Sequence, residues 1–525
     1  MWQPNRLEQE RLDKLNEIEA RGVSAFPARV KRTHEAAAAI AAFEWAESRA
    51  AGSEPAEVQV TVAGRIRRIN VKGKISFMHI EDESGRVQLF LRINDMDEAQ
   101  YALVADKLID TDDFVQAEGV MMRTKAGEVS VRVTALTLLS KSLSPLPVIK
   151  QQVQDDGTVR EYGQFTNTEA RYRQRYADLA VNQGIRDTFV QRARIIRAIR
   201  SFMDSEGCLE VETPILQPLY GGAAARPFIT HHNQLDEDLY LRVSFELYLK
   251  RLLVGGFSGV YELGRDFRNE GVSWKHNPEF TMLEFYKAYI DYHGVMDMTE
   301  RMVCAAVEAV HGSRQAPFKD YVIDYTPGWK RLTMREAIKA ETGIDYMDFL
   351  DRDALEARIR QMNPHDLAPG QPWGKLVEYL LGEYVEKKLI QPTFIIDYPR
   401  DISPFAKRVS YDDFHVERFE FYIAGMEMGN AFTELNDPRD QEARFLDMAR
   451  TFRPEDDDAA PIDQDYLRAM RYGMPPNGGF GMGIDRLVML ITNQDSIRDV
   501  LLYPALKQLK DEGEGESAAE EAPDA

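Results

Sequence analysis

Apolar residues recur every three to four positions over residues 5–21, where Leu12, Leu15 and Ile18 share one face, and this period predicts a helix that Gly22 and Pro27 end. The alanine-rich stretch 35–53 carries little pattern, and Gly52, Ser53 and Pro55 mark a boundary after it. From Val58 the period shortens to two, in VQVTVAGRI, ISFMHI, GRVQLFLRI, FVQAEGV and EVSVRVTALTLL. These five alternating segments, with glycine turns and one helix-like insert at 97–109, predict a small Greek-key barrel of the OB type. The proline-bearing SLSPLPVI closes it. The implied limits are a helical extension over 1–54, the barrel over 55–145, a linker over 146–168, a large domain over 169–508 and a tail over 509–525.

In the large domain a helix over 186–206 stops at Gly207 and gives way to the strand LEVETPIL. Helices at 294–311, 334–342 and 373–388 are interspersed with strands at 241–245, 259–269, 279–291 and 393–397 and a strand block at 417–435. Strands that do not alternate strictly with helices predict an α+β fold on an antiparallel sheet flanked by helices.

One hairpin stands out. VYELGRDFRNE runs out, GVSWKHNP turns, and EFTMLEFYKAY returns. Strand side chains alternate between faces, so Leu263, Phe267, Leu283 and Phe285 form a mostly apolar side together with Arg265. The other side gathers Arg268, Glu270, Phe280, Met282, Glu284 and Tyr286. Arg268 offers a planar fork for a phosphate or carboxylate, and Phe280 a flat face for a purine. Glu284 and Tyr286 offer acceptors for a cation.

Two further segments carry chemistry. In PPNGGFGMGIDRLVML, Gly478, Gly479, Gly481 and Gly483 remove side chains so that a ligand can lie against bare backbone, and Arg486 follows in the first helical turn. Neither the G-x-x-x-x-G-K-[ST] loop nor a dinucleotide fingerprint is present. In RFEFYIAGMEMGNAFTELND, Glu420, Glu427 and Glu434 recur with Asn430 between the last two. Acids this dense in an apolar strand block need cations, such as a phosphate-bound magnesium ion or a cationic substrate. Strict alternation puts Glu427 opposite Asn430 and Glu434, so one shared pocket predicts a bulge near Gly429.

Composition narrows the classes. The 525 residues are 44% hydrophobic and 29% charged, with no apolar run long enough to cross a bilayer. The charged N-terminus is no secretory signal. Cys208 and Cys304 support neither a disulfide framework nor a metal site, and a cytoplasmic location is expected. A net charge of −21 argues against indiscriminate nucleic-acid binding but leaves local basic patches open, the densest in the barrel being GRIRRINVKGK at 64–74. DEGEGESAAEEAPDA, with seven carboxylates and no base, is expected to be disordered.

Taken together, the motifs resemble the class II aminoacyl-tRNA synthetases, and within them the bacterial lysyl-tRNA synthetase family. LEVETPIL with Pro214 resembles the first class motif, at the dimer interface; FRNEG with HNPEFTMLEFY resembles the second, and GMGIDRLVML the third. GGAAARPFITHHN (221–233) and MGNAFTELND (428–437) are similar to lysine-enzyme signatures. The similarity spans the barrel to Leu502. It implies ATP-dependent activation of L-lysine to lysyl-adenylate, then transfer to tRNA(Lys), by a homodimer using Mg2+ and no membrane. Arg268 would clamp the α-phosphate and the lysine carboxylate nearby. Phe280 and Arg486 would sandwich the adenine, while Glu270, His276, Asn277 and Gly483 complete the ATP site. Glu420 and Glu427 would hold magnesium, Glu420 also touching ATP. Gly222 and Glu246 would take the α-amino group, Asn430 the carboxylate, and Glu284, Tyr286 and Glu434 the ε-ammonium, with Phe432 lining that site. In the barrel Arg65, Phe77, Gln88 and Glu128 resemble an anticodon-binding set. A phenylalanine in a strand is otherwise an ordinary core residue; Gln88, between Val87 and Leu89, is expected on the outer face as an exposed reader.

The sequence departs from the family at Ser244–Phe245, where many relatives have Ala-Pro, and at Trp274 and Lys275. The tail has no counterpart. Two rival readings keep the motifs but change the function: a paralogue that lysylates a protein, and a catalytically silent RNA-binding relative.

Overall fold

The computed structural model describes residues 2–50, 56–147, 150–153, 159–162, 165, 167–223, 225–365, 367–451 and 461–507. The expected tail (509–525) and parts of the expected linker (146–168) lie outside the described residues. The chain divides into two compact units between Asn167 and Thr168.

In the first unit, β1 (Gln59–Lys72), β2 (Ile75–Glu81), β3 (Arg86–Arg92), β4 (Phe114–Arg123) and β5 (Val129–Ser140) close a barrel in the order β1-β2-β3-β5-β4. Alternation fills it: Val60, Val62, Met78, Ile80, Val87, Leu89, Val131 and Val133 are buried in one cluster. The helix Arg6–Ala20 is started by Asn5, whose side chain accepts from the Leu7 and Glu8 amides while Glu8 returns a bond to the Asn5 amide. The alanine-rich stretch is a second helix, Ala36–Arg49. Ala36, Ala39, Phe43 and Ala46 form its buried stripe, and both helices share the barrel's core. Small side chains make that stripe faint in sequence and let the helix sit close to the strands. The insert is a helix over Glu98–Ala105.

The second unit is built on eight strands: β6 (Leu209–Glu210), β7 (Gly259–Phe267), β8 (Glu279–Ala288), β9 (Lys330–Thr333), β10 (Thr393–Pro399), β11 (His415–Ile423), β12 (Met426–Thr433) and β13 (Asn477–Gly483). Their spatial order is β9-β10-β11-β12-β13-β8-β7-β6, antiparallel except at its two ends, where β9 pairs with β10 and β6 with β7 in parallel. The helices Gln183–Ser205, Tyr292–His311 and Ile484–Ile491 contribute to the main core with Leu283, Phe285, Phe421 and Phe480. The expected strand at 241–245 lies earlier, at Glu237–Leu241, and Arg242 to Phe245 lead into the helix Glu246–Val254. The strand expected to reach residue 291 stops at Ala288, because the Asp291 side chain caps the next helix by accepting from the Gly294 amide. The 417–435 block is a tight hairpin: Ala424 and Gly425 both adopt positive φ (52° and 73°), the form that matches strand twist.

Candidate active site

The sheet register decides which side chains meet. Phe280, Met282, Glu284 and Tyr286 on β8 all line one cavity of about 570 Å3, while Leu283 and Phe285 point into the core, as parity requires. On β12 the expected bulge is present: Phe421 pairs with Gly429 and Tyr422 with Glu427, leaving Met428 as the extra residue. Glu427 and Asn430 are thereby brought to the same cavity.

Of the residues put forward for ATP, lysine and metal, all but Glu434 line this cavity, including Gly222, Glu246, Glu270, His276, Asn277, Phe432, Gly483 and Arg486. Glu434 is fully buried behind the wall. Its Oε2 lies 2.5 Å from the ammonium of Lys250, which also sits 2.5 Å from Glu246 Oε1. Burial pushes the Glu434 carboxyl up to about 8 against the pull of Lys250. Glu284 is likewise pushed well up, by burial and then by the neighbouring Asp266 and Glu246 charges.

Ser244 proves to be a joint of the site. Its hydroxyl donates to Glu284 Oε1 (2.9 Å) and accepts the Glu246 amide (3.0 Å), orienting one acid and steadying the helix that carries the other. Phe245 is fully buried, so packing holds the residue between Ser244 and Glu246 in place. Gly222 adopts φ +87°, and a Cβ there would press to 3.1 Å against both Glu246 Cβ and Ser244 Oγ.

The glycine strand does two jobs. A Cβ on Gly478 would meet Val295 Cγ2 at 2.5 Å, and one on Gly479 would fall 1.9 Å from Glu434 Oε1, so these two serve protein packing. Gly481 and Gly483 have no atom within 3.4 Å of such a Cβ and leave open floor in the cavity.

At the opposite end, the Arg268 guanidinium lies 5.2 Å from the Phe280 ring centre, and its amide donates to Pro278 O, extending the hairpin past β7. Arg486 donates to Glu427 O (2.7 Å) and lies 3.3 Å from His276 Nε2. Burial and the adjoining Arg486 hold His276 below its ordinary range, which suits it as the neutral acceptor of that bond. Asn277 is engaged by the protein: its amide donates to Glu279 O and its oxygen accepts from the Ala505 amide, making it a strut for the hairpin loop.

Arg418 was not singled out in the sequence, yet it joins the two halves. It donates to Asn430 Oδ1 (3.0 Å), Glu420 Oε1 (2.6 Å), Ser403 Oγ (2.9 Å) and Ile402 O (3.1 Å), and packs against Tyr398 and Phe432. With Oδ1 so occupied, the Asn430 amide is left to donate. Tyr398 and Tyr422 donate to Glu420 Oε2 (3.0 and 2.5 Å). Burial pushes Glu420 up to about 7, with Arg418 opposing. On Glu427 burial is outweighed by Arg486, Arg268, Arg418 and Lys275, so this acid stays ionised. The only sequence signal for Arg418 was its place two residues before Glu420, on the same face.

In the barrel, β2 and β3 bring Phe77 and Phe90 to 5.3 Å on the outer face, with His79 opposite Gln88. Gln88 departs from expectation: it is 7% exposed, donating to Glu128 Oε2 (2.6 Å) and accepting from Ser130 Oγ (2.8 Å). An outward side chain on a sheet is not thereby solvent-facing when neighbours on the same face close over it. His79, passed over in the sequence, bridges to Glu128 Oε1 at 2.9 Å. Arg65 donates to Asp112 O and covers Phe114; in the basic run, Arg68, Lys72 and Lys74 are the exposed cations. Pro214 is exposed, beside Ile215 and Leu216, which are 46% and 47% exposed.

Comparison with known proteins identifies the family. Residues 167–507 match the family of tRNA synthetases class II (D, K and N), and residues 60–139 match the OB-fold nucleic acid binding domain. A lysine–tRNA ligase of Dehalococcoides mccartyi is 51% identical over 514 residues, covering 97% of this chain and 99% of the relative. Lysine–tRNA ligases of Roseiflexus castenholzii (49% over 507 residues; 96% and 99% covered) and Chloroflexus aurantiacus (48% over 511; 97% and 99%) are similarly close.

Proposed function

Since the chain belongs to the class II tRNA synthetases (D, K and N), we propose from its relatives and its cavity that it activates L-lysine with ATP and charges tRNA(Lys). The observation that carries the substrate assignment is a cavity with buried acids, Glu246 and Glu284, at one end and Arg268 and Arg486 at the other. A buried acid needs a cation, and an amino acid with two ammonium groups brings two.

The lysine carboxylate attacks the α-phosphorus, forming the acyl–phosphate bond as the bond to pyrophosphate breaks. A ribose hydroxyl of the tRNA then takes the lysyl group and AMP leaves. The carboxylate is already a nucleophile, so the protein's part is placement and charge neutralisation. Arg268 grips the α-phosphate and the carboxylate beside it; the Asn430 amide, fixed by Arg418, donates to the carboxylate. Phe280 and Arg486 enclose the adenine, with Glu270 and His276 at the loop. Gly222 and Glu246 receive the α-ammonium; Glu284 and Tyr286 receive the ε-ammonium, and Glu434 adds negative charge from behind. Glu420 and Glu427 fit Mg2+: both are hard oxygen donors on adjacent strands, and a pair of carboxylates plus phosphates suits an ion that keeps several waters. When bound, the ion supplies further positive charge to the phosphates. Phe77, Gln88 and Glu128, with Arg65 at the barrel's edge, form the anticodon-binding face, and Pro214 with Ile215 and Leu216 the seam of a homodimer working in the cytoplasm.

Pyrophosphate exchange with each amino acid, followed by charging of purified tRNA(Lys), tests this. Lysine supports both reactions. Exchange with aspartate or asparagine in place of lysine refutes the assignment, and exchange without tRNA charging points to a protein acceptor.

A further inference from the structure

Lys250 has no part in the reaction as derived above, yet it lies fully enclosed beside it. It stands one helical turn after Glu246, with its side chain fully buried and its ammonium bridging Glu246 and Glu434 at 2.5 Å each. The Phe405 ring (4.5 Å) and the Tyr286 ring (5.6 Å) close over it. An ammonium so placed stays charged only if acids outweigh its lost hydration. Glu246 and Glu434 do so, holding Lys250 above its ordinary range despite burial.

The third acid of this pocket is Glu284, tied to Ser244 and within reach of the Tyr286 hydroxyl. Three carboxylates against one fixed ammonium leave two positive charges wanting. The surrounding groups do not supply them. Arg251 is paired with Asp463 (2.6 Å) and Arg418 with Glu420 (2.6 Å). On β7, Glu262 and Asp266 share Arg242 (2.5 and 3.4 Å), and Arg268, whose charge pulls on Asp266 and on Glu284, answers the second of these two acids, so that the four groups balance among themselves. Tyr286 and Tyr466 remain neutral phenols, both pushed up by burial.

We propose that Lys250 is a positioning residue that sets this charge deficit at two, so that an amino acid carrying two ammonium groups, and not one, neutralises the pocket. The inference rests on the lysine reading above and adds the residue that enforces it. Burial pushes Glu284 and Glu434 up, so ammonium groups brought to the pocket displace protons from its acids. Without Lys250 a third charge is wanting, and a proton stays in the pocket that lysine alone cannot replace.

The test compares wild type, Lys250→Met and Lys250→Arg in pyrophosphate exchange across pH. In Lys250→Met the KM for lysine rises about tenfold or more and the acid limb of kcat/KM for lysine moves up by about one pH unit, while the KM for ATP stays within about twofold. Lys250→Arg returns the limb to its wild-type position. A merely structural role would leave the limb unmoved. Should neither variant fold, calorimetry of lysine binding to the wild type in buffers of different ionisation enthalpy decides: proton release rises to a plateau of about two as pH falls, because one of the three acids is already neutralised. Any other plateau overturns the inference, as does a Lys250→Met enzyme with wild-type lysine KM and pH limb. A wild type that does not exchange with lysine refutes the lysine reading itself.

Discussion

Replacing Gly479 by alanine places a methyl where β13 has no room. The new carbon would lie 1.9 Å from Glu434 Oε1 and 2.4 Å from Tyr286 Cε1, so both side chains must retreat. Glu434 is fully buried and Tyr286 nearly so, which leaves them nowhere to go without displacing Lys250 and Glu284. Overpacking of this kind costs about 1–3 kcal/mol. If the strain falls on the acid end of the cavity, kcat/KM for lysine drops by roughly 5- to 150-fold. The ATP end is built from other residues, so the KM for ATP stays within about twofold of wild type. Pyrophosphate exchange, with each substrate titrated at saturation of the other, separates the two. Two neighbours serve as controls. Gly478→Ala clashes with Val295 on the core side and lowers the melting temperature, whereas the atoms nearest a Cβ on Gly481, those of Met282 and Glu284, come no closer than 3.5 Å, so Gly481→Ala obstructs the cavity without loss of stability. Unchanged lysine kinetics in Gly479→Ala, or equal losses for lysine and ATP, would refute the assignment of this end to lysine.

Three more outcomes are expected. Phe77→Ala leaves pyrophosphate exchange intact but slows charging of tRNA(Lys), since the Phe77–Phe90 surface belongs to the barrel and not to the chemistry; equal loss in both assays would make it a folding residue. For the proposed homodimer, sedimentation is expected to give dimers for the wild type and monomers for Leu216→Glu, which places a charge on the exposed apolar strip beside Pro214; a dimer that persists would put the seam elsewhere. Asp266 is pushed up to about 7, by burial first and against the pull of Arg242 and Arg268, and among the described residues neither of its oxygens has a hydrogen-bond partner. A folded pKa above the unfolded one means that stability is fully present at low pH and is lost as pH rises through about 7. Asp266→Asn therefore resists urea better than wild type at pH 8 and not at pH 4; the same difference at both pH values would contradict the cause given.

What could be seen in the sequence was local periodicity and its exceptions. The parity of β8 separated Glu284 and Tyr286 from Leu283 and Phe285, and the conflict between Glu427 and Asn430 predicted a bulge that Met428 provides. What could not be seen depends on partners distant in the chain. Arg418 owes its importance to Asn430 and to the Ile402–Ser403 turn, Lys250 to Glu434, and Ser244 to Glu284. Gln88 pointed outward as alternation required, but Glu128 and Ser130 close over it from another strand, which period alone cannot reveal. Glu434 was expected in the cavity with the other acids and lies buried behind its wall, a depth that depends on its contact with Gly479 on β13 and leaves no trace in local periodicity.

The central claim is that buried acids at one end of the cavity select an alkylammonium. Pyrophosphate exchange with L-norleucine, which keeps the chain and lacks the ε-ammonium, tests it most directly against L-lysine. Buried polar groups left without a partner should depress kcat/KM for norleucine by about 1,000-fold or more. A norleucine rate within about tenfold of lysine, the range that apolar fit alone provides, would contradict it.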